Sequence, residues 1–444
     1  MDFTRMQELL QSRQYSLLKK ELSKEQNVDI AEFLDELDAR CTLLVFRLLP
    51  KEIAADVFSH LSAESQAQLS VLVNEQELRD ILDDLKFDDK IDFLEEVPAN
   101  VVKRILKHST ETERKLINKF LNYPEDSAGS LMAIEFVELK KEMLVSDALV
   151  KIRQGAPGKE TIYICYVTDK SRHLEGVLSL RELVIASPEQ KIEEIMNREV
   201  IYVHTLDDKE DVADLIQKYD LLALPVTDNE NRLVGIITVD DIVDVIEEES
   251  TEDIHKMATV GKLDVNLLDA SPFLLVRKRL PWLLVLIFIN VFSGAFIAYY
   301  EATIQAVIAL VFFLPLLIDS AGNAGSQSAT LMIRALTVGD VELRDWFKLF
   351  RKEFIISLVL GIFMGLAVSV IGIFRGGIDV AIVVSLTMLV IVLVGSMLGM
   401  SLPFLFSKFK IDPAVASGPL VTSIADIAGV LIYFSIASWY LGIQ

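Results

Sequence analysis

Two carboxylates stand alone in long apolar surroundings. Asp319 interrupts FFLPLLIDSAGNAGSQSATLMIR, and Asp426 interrupts DPAVASGPLVTSIADIAGVLIYF. Pro315, Gly322, Asn323, Gly325, Ser326 and Gln327 surround the first, and Gly418, Pro419, Thr422 and Ser423 the second. A carboxylate and irregular backbone at membrane depth survive only against protein or water. The two segments therefore predict an ion path lined by Gly322, Asn323, Ser326 and Thr422, with Asp426 as its carboxylate. Residues 271–444 contain no His and no Cys, so sites for zinc, copper or iron are disfavoured. Oxygen donors remain, and they suit hard cations. Mg²⁺ keeps much of its water and needs only one or two carboxylates.

A second set of carboxylates lies outside the apolar stretches. DDIVDVIEEESTEDIHK holds Asp240, Asp241, Asp244, Glu247, Glu248, Glu249, Glu252 and Asp253. On a helix, Asp241/Asp244 and Glu249/Asp253 share faces at i,i+3 and i,i+4, where like charges repel. A divalent cation would draw such elements together, and its absence would let them spread. The run leads directly towards Arg277 and the first apolar stretch, which is the arrangement of a gate. Further upstream, Asp88 and Asp92 belong to an acidic face that is either solvated or cation-binding.

The elements that must position these residues follow from charge and periodicity. The chain of 444 residues carries a net charge of −22 with 52% hydrophobic residues. Residues 271–444 hold 11 Lys+Arg against 9 Asp+Glu, which leaves the first 270 residues near −24. An acidic soluble part repels phosphates, so no nucleic-acid partner is expected. Cys41 and Cys165 are too few for a disulfide framework. The first residues lack the apolar core of a signal peptide. Five apolar stretches can span a bilayer: Pro281–Tyr300, Ala302–Ile333, Phe354–Phe374, Val380–Ser407 and Pro413–Gln444. Basic residues mark alternate loops (Arg277–Arg279, Arg334–Lys352, Lys408 and Lys410), placing the N-terminus in the cytoplasm and the C-terminus outside. GxxxG spacings at Gly361/Gly365 and Gly395/Gly399 permit close packing or a dimer face.

The soluble part divides further. Residues 28–121 read as short amphipathic helices in irregular repeats, with Pro50 and Pro98 at helix starts. Residues 132–250 contain two strand-rich copies that match at Val167–Asp169 and Val226–Asp228, and at GVLSLRE against GIITVDD. These copies resemble a tandem pair of cystathionine-β-synthase (CBS) domains. In that family a Ser/Thr-x-x-Asp can bind the ribose of an adenine nucleotide. Thr238 and Asp241 meet the pattern, whereas Ser179-Leu-Arg-Glu182 departs from it. The pair is then either an ATP site or a regulatory module without nucleotide. No P-loop, HExxH or nucleophile-elbow motif occurs, so no enzyme is expected.

Taken in order, the segments resemble the MgtE-type magnesium channels over nearly the whole chain. YPEDSAGSLM (Tyr123–Met132), TEDIHK (Thr251–Lys256), GNAGSQSATL (Gly322–Leu331) and DPAVASGPLVTSIAD (Asp412–Asp426) carry the resemblance. It implies a multidomain architecture. An acidic, α-helical superhelical N-domain (1–130) precedes an α+β tandem CBS pair (131–195 and 196–250). A connecting plug helix (251–275) leads to an all-α membrane domain of five transmembrane helices (276–444). It further implies a homodimer in the plasma membrane that conducts Mg²⁺ inward, with Asp426 holding the hydrated ion. Asp208, Glu210, Asp220, Asp241, Asp244, Glu249, Glu252, Asp253 and Asp412 match positions where cytosolic Mg²⁺ binds the closed state. Ser326 stands where the family can carry Asn. The alternatives are a Mn²⁺ or Co²⁺ transporter, or a membrane-anchored cation or nucleotide sensor.

Overall fold

The computed structural model describes residues 2–263, 267 and 270–443. It divides into two units, Met1–Glu247 and Glu248–Gln444. In the first unit, ten helices of 8–10 residues follow one another from Phe3 to Phe120. Their starts are written in the sequence. Pro50 and Pro98 stand at the N-cap positions of helices beginning at Lys51 and Ala99. Asn74 and Glu77 form a reciprocal capping box, which satisfies backbone donors that a helix start leaves open. Ridges of Phe residues join the repeats, with ring pairs Phe58–Phe93 at 5.1 Å and Phe87–Phe120 at 4.8 Å. The acidic helix α1 (Phe87–Glu96) buries Phe87, Ile91, Phe93 and Leu94 on one side. That packing presents its carboxylates along a fixed edge.

Two three-stranded sheets follow. Strands β1 (Val137–Leu139), β2 (Ile164–Thr168) and β3 (Leu174–Ser179) form one, and β4 (Val203–His204), β5 (Ala223–Thr227) and β6 (Leu233–Thr238) the other. Each has a parallel first pair and an antiparallel second pair, with the register shifting at Val167/Thr168 and Val226/Thr227. The copies also exchange their leading segments. Ala133 bridges to Ile236 in the second sheet, and Asn197 to Val177 in the first. This explains Gly176 and Gly235. A Cβ at Gly176 would meet Met196 Sδ at 2.8 Å, and one at Gly235 would meet Met132 Sδ at 2.8 Å.

Helix α2 (Lys209–Tyr219) lies in the second copy, and α3 (Val239–Met257) leaves it. The connecting helix expected over 251–275 differs here. The helix starts earlier, as the continuation of the last CBS strand, and stops at Met257. Thr259 takes a positive φ of 57°, a conformation that ends an α-helix and that β-branched residues rarely adopt. Residues 264–266, 268 and 269 of that expected element lie outside the described residues.

Among the described residues of the second unit, four helical stretches are long and apolar enough to cross a membrane: Pro272–Tyr299, Ile308–Thr337, Leu343–Lys408 and Gly418–Leu441. We label the helices α4 (Pro272–Tyr299), α5 (Leu314–Thr337), α6 (Trp346–Lys408) and α7 (Gly418–Leu441). Helix α4 starts nine residues before the apolar stretch predicted from the sequence, because Ser271 caps it and Pro272 occupies its first turn. A straight helix as long as α6 would far exceed the ~30 Å hydrocarbon layer. Instead Gly377, at φ 81° and ψ −175°, interrupts it. The two halves then fold back on each other, with Ser385 Oγ donating to Gly365 O at 2.9 Å.

Both GxxxG spacings are used inside the chain. A Cβ at Gly361 would meet Leu389 O at 2.9 Å and one at Gly365 would meet Ser385 O at 2.9 Å. Gly395 and Gly399 face Ala321 and Gly325 of α5. The dimer-face option for these glycines is therefore replaced by intrachain packing. A 3-10 helix, Ile308–Phe313, precedes Pro315 and breaks the α-helical run there. Tyr433 Oη donates to Leu310 O at 2.8 Å, supplying a partner that lipid could not.

Candidate functional site

Three groups of side chains carry the chemistry. The first lies within the N-terminal unit. Asp88 on α1 is 9% exposed, and its Oδ1 has no hydrogen-bond partner. Glu160, from the loop before β2, is 6% exposed at its side chain. Its Oε1 accepts from Lys86 Nζ at 2.8 Å, while its buried Oε2 is unpartnered. Asp89 and Asp241 complete the electrostatic surroundings of Asp88. Asp92 is exposed at the rim, within electrostatic reach of Asp89, Glu95 and Asp241. Burial, followed by the charges of Glu160, Asp89 and Asp241, pushes the Asp88 carboxyl up to about 8. Burial likewise raises Asp241 to about 6, against the lowering bond from Thr238. Buried carboxylates with orphaned oxygens and one ammonium among them make an arrangement short of positive charge.

Thr238 and Asp241 also meet each other. Thr238 Oγ1 donates to Asp241 Oδ2 at 2.8 Å, and the Thr238 amide at 3.4 Å. In the first copy Ser179 Oγ and its amide donate to Glu182 Oε2 at 2.8 and 2.6 Å. The Ser/Thr-x-x-acid spacing is thus a helix-capping device in both copies, and Glu182 performs it despite its extra methylene. Asp241 alone of the two acids also faces the Asp88 cluster.

Asp208 and Asp220 stand at opposite ends of α2, about 18 Å apart by helical rise. Asp208 caps the helix by accepting from the Glu210 amide at 3.0 Å, and Asp220 ends it at φ 51°. Within one chain the two do not converge. Asp244 is exposed on α3.

The second group belongs to the end of α3 and the turn before α7. Lys256 Nζ bonds Glu252 Oε1 at 2.5 Å and Asp412 Oδ2 at 2.6 Å. Lys262 Nζ lies 2.9 Å from Glu248 Oε1 and 3.5 Å from Glu252 Oε2. Asp253 hydrogen-bonds Thr337 and feels the Asp412 charge. Asp412 is itself fixed by accepting from the Ala414 amide at 2.8 Å. Burial opposes the Lys256 charge, but its bonds to Asp412 and Glu252 outweigh that and hold it above the ordinary lysine value. Glu249 occupies the same helix face, partly buried. Within this acidic run and just beyond it, Lys256 and Lys262 supply counter-charge to Glu248, Glu252 and Asp412. Glu252–Lys256 is the i,i+4 order that favours pairing, a signal present in TEDIHK. Glu160 had no such signal, because its loop gives no periodicity.

The third group is in the membrane helices. Asp319, Asn323 and Gln327 recur every four residues on α5, and all three are exposed in a single chain. Asn323 Nδ2 donates to Asp319 Oδ2 at 2.9 Å. Asp426 on α7 lies within electrostatic reach of Asp319. Gly322 packs against Thr422, where a Cβ would approach Thr422 Cγ2 to 2.9 Å. Ser326 Oγ donates to Gly418 O at 3.3 Å, and Thr422 Oγ1 to Pro419 O at 2.9 Å. The small residues bring α5 and α7 together so that Asp319 and Asp426 share one polar surface. Among the described residues, no group of three or more His, Cys, Asp or Glu side chains closes around a metal position within one chain.

Comparison with known proteins matches all three regions. Residues 314–436 match the MgtE divalent cation transporter family, 25–126 the MgtE intracellular N domain and 192–248 the CBS domain. The chain is 40% identical over 440 residues to the magnesium transporter MgtE of Thermus thermophilus, covering 97% of each. It is 35% identical over 426 residues to the Bacillus subtilis magnesium transporter MgtE, covering 93% of this chain and 94% of that one. Among solved structures, the cytosolic domain of the Mg²⁺ channel MgtE in complex with ATP shares 41% identity at a TM-score of 0.52. It aligns with 55% of this chain and 99% of that one.

Proposed function

The chain belongs to the MgtE family of magnesium transporters, and on that premise we propose that it is a Mg²⁺-selective uptake channel closed by cytosolic Mg²⁺. It is a multi-pass membrane protein. We read the break at Gly377 as a turn between two crossings, which gives five crossings in all. The basic loops then keep the acidic N-terminal unit in the cytoplasm and the C-terminus outside, at the plasma membrane.

One observation carries the channel reading. Asp319, Asn323 and Gln327 form an exposed polar stripe on a helix of membrane-crossing length. Lipid would leave these groups unsatisfied at a cost of several kcal/mol each, so water or a second copy must cover them. A homodimer meeting along this surface would enclose an aqueous path and bring two copies of Asp426 to it. Such a path suits an ion that keeps its water, with Asp426 attracting it through that shell. Gly322, Asn323, Ser326 and Thr422 would line the same path.

Closure by Mg²⁺ follows from the soluble group. The unpartnered oxygens of Asp88 and Glu160 fit a divalent cation, with Asp89, Asp92 and Asp241 adding charge around it. When the ion leaves, mutual repulsion favours separation of α1 from the CBS pair. Asp208, Glu210, Asp220 and Asp244 are surface acids that a second copy would meet, adding ligands to a shared ion. Because several ions bind one state in preference to the other, the response to internal Mg²⁺ is steep. ATP, present in the related cytosolic domain, would place its ribose at Thr238 and Asp241. It would then compete with the capping bond and with the cation cluster for Asp241.

Mg²⁺ flux into proteoliposomes tests this function. Asp426→Ala is expected to abolish uptake while leaving the purified dimer intact. Undiminished uptake in that variant overturns the pore assignment.

A further inference from the structure

We propose that the first CBS copy holds a small phosphate-bearing anion in the cleft beside its edge strand β1, with Lys151, Lys159 and Arg172 as the cations that bind it. The cleft encloses about 440 Å³. Lys151 comes from the helix Val145–Gly155, Lys159 from the loop after it and Arg172 from the turn between β2 and β3. Three cations in one cleft stand out in a part of the chain whose net charge is near −24. Glu138 is the one carboxylate in the lining, and it is already engaged. Its Oε1 accepts from Lys140 Nζ at 2.6 Å and from Thr168 Oγ1. Lys151 Nζ donates to the Glu138 carbonyl at 2.6 Å, and the Arg172 guanidinium lies over the buried Phe136 ring at 5.9 Å. Glu135, outside the lining, feels the Lys159 charge. Among the described residues, none of the three lining cations forms an ion pair.

The second copy shows that these cations are additions to the shared fold. Aligned at the VTD triplets, Asn231 stands where the first copy has Arg172. Aligned at the buried Ile152 and Ile216, Leu215 stands where it has Lys151. Five residues more lie between Ile152 and Val167 than between Ile216 and Val226, and Lys159 falls within that extra length. The backbone points the same way. Arg172 takes a φ of 68° and Asn231 one of 59°, a left-handed conformation that asparagine adopts far more readily than arginine. The first copy therefore keeps its guanidinium at a conformational cost, as functional positions do. The turn is also held in place, because the Leu233 amide donates to the Arg172 carbonyl at 2.9 Å.

The lining selects the class of ligand. The volume is that of a small-molecule site rather than of a single monatomic ion. An arginine fork matches two phosphoryl oxygens at once, and lysines add point charge beside it. Neither Thr238 nor Asp241 lines the cleft, so the site is separate from the adenine-nucleotide position considered above. The anion is accordingly a short polyphosphate or a phosphorylated metabolite, bound through its phosphoryl oxygens.

Calorimetric titration of tripolyphosphate into metal-free, full-length protein in detergent tests the site. Wild type is expected to bind one tripolyphosphate per chain, and inorganic phosphate more weakly at the same place. Lys159→Gln and Arg172→Asn should each weaken tripolyphosphate at least about tenfold, the size of one charge-assisted hydrogen bond. Lys159→Arg keeps the charge and should bind as wild type does. Arg172→Asn installs the residue that the second copy already carries in this turn, so thermal unfolding without ligand should not fall. If it does fall, Lys159→Gln alone decides, because the Lys159 side chain forms no hydrogen bond or ion pair among the described residues.

Unchanged affinity in Lys159→Gln overturns the proposal, as does a wild type without saturable binding. Displacement of tripolyphosphate by adenosine overturns it too, since the phosphates would then belong to a nucleotide at Thr238 and Asp241. Citrate binding as tightly as tripolyphosphate would overturn the phosphate class.

Discussion

The carboxylate group around Asp88 and the one around Asp412 are built from the same side chains and resolve their repulsion in opposite ways. Around Asp412, Lys256 and Lys262 lie within 3.5 Å of Glu248, Glu252 and Asp412. Around Asp88, Lys86 bonds Glu160, and buried oxygens on Asp88 and Glu160 lack partners. The difference teaches what a divalent ion meets at each. At a carboxylate already paired with a lysine, the ion must first displace the ammonium. A buried, unpaired carboxylate gains the whole of its lost solvation.

The largest effect should come from erasing the unpaired cluster. Asp88→Asn combined with Glu160→Gln replaces both buried carboxyls by neutral groups of similar shape, at the cost of the Glu160 bond to Lys86. The metal-free full-length protein is then expected to gain on the order of 2 kcal/mol in thermal stability. The increment that Mg²⁺ gives to wild type should disappear, and closure should need at least about tenfold more Mg²⁺. Thermal unfolding in chelator and in Mg²⁺ measures the first two, and flux the third. A double variant that still closes at the wild-type concentration breaks the comparison, because the ion would then be acting at the lysine-paired group alone.

A second effect separates the groups by pH. The folded carboxyls of Asp88, at about 8, and Asp241, at about 6, hold protons that the unfolded chain, near 3.8, has released. The folded state therefore binds more protons between these limits. Metal-free stability from this cluster is greatest below pH 3.8 and is lost as pH rises from there, until about 6 for Asp241 and about 8 for Asp88. Mg²⁺ must expel those protons to bind, so its apparent affinity should climb across the same window, by up to about tenfold for each proton released per pH unit. Proton release on adding Mg²⁺ to weakly buffered protein at pH 7 checks this directly. Release that persists in the Asp88→Asn, Glu160→Gln variant would assign the protons to other groups.

How much of this was visible before folding depends on whether the relevant contact is local. The apolar stretches, the Arg375-Gly-Gly377 break between two of them and the paired VTD copies are short-range patterns, and the helices and sheets follow them. Glu252 and Lys256 share a helix face, so their pairing could be read at i,i+4. The bond from Lys256 to Asp412 could not, since nothing in either neighbourhood reports the other. Glu160 was hidden for the same reason: it comes from an irregular loop, and only the packing of that loop near α1 makes it matter. The GxxxG spacings were legible as close-packing devices but silent about the partner, which proved to be the same chain. Thr238 and Asp241 show a different limit. The spacing that suggested ribose binding is also the spacing of a helix cap, and capping is the use the fold makes of it in both copies.

The smallest effect tests how the lysines divide their task. Lys262 touches Glu248 at 2.9 Å and Glu252 at 3.5 Å, with a third of its side chain and nearly half of Glu248 open to solvent. An exposed pair of this kind contributes roughly 0.2–1 kcal/mol and is screened by salt. Lys262→Met should therefore move the half-closing Mg²⁺ concentration by only about twofold, and less again at high ionic strength. Lys256 differs because it joins two separate segments, whereas Glu248 and Glu252 both lie on α3. If Lys262→Met shifts closure as far as Lys256→Gln does, then total positive charge near α3 is what counts, and the bridge to Asp412 is incidental. Equal salt sensitivity of the two variants in the flux assay would point the same way. A small, salt-screened shift for Lys262 beside a large, salt-resistant one for Lys256 instead locates the lysines' share of closure in a single bond between α3 and the turn that leads into the pore helix.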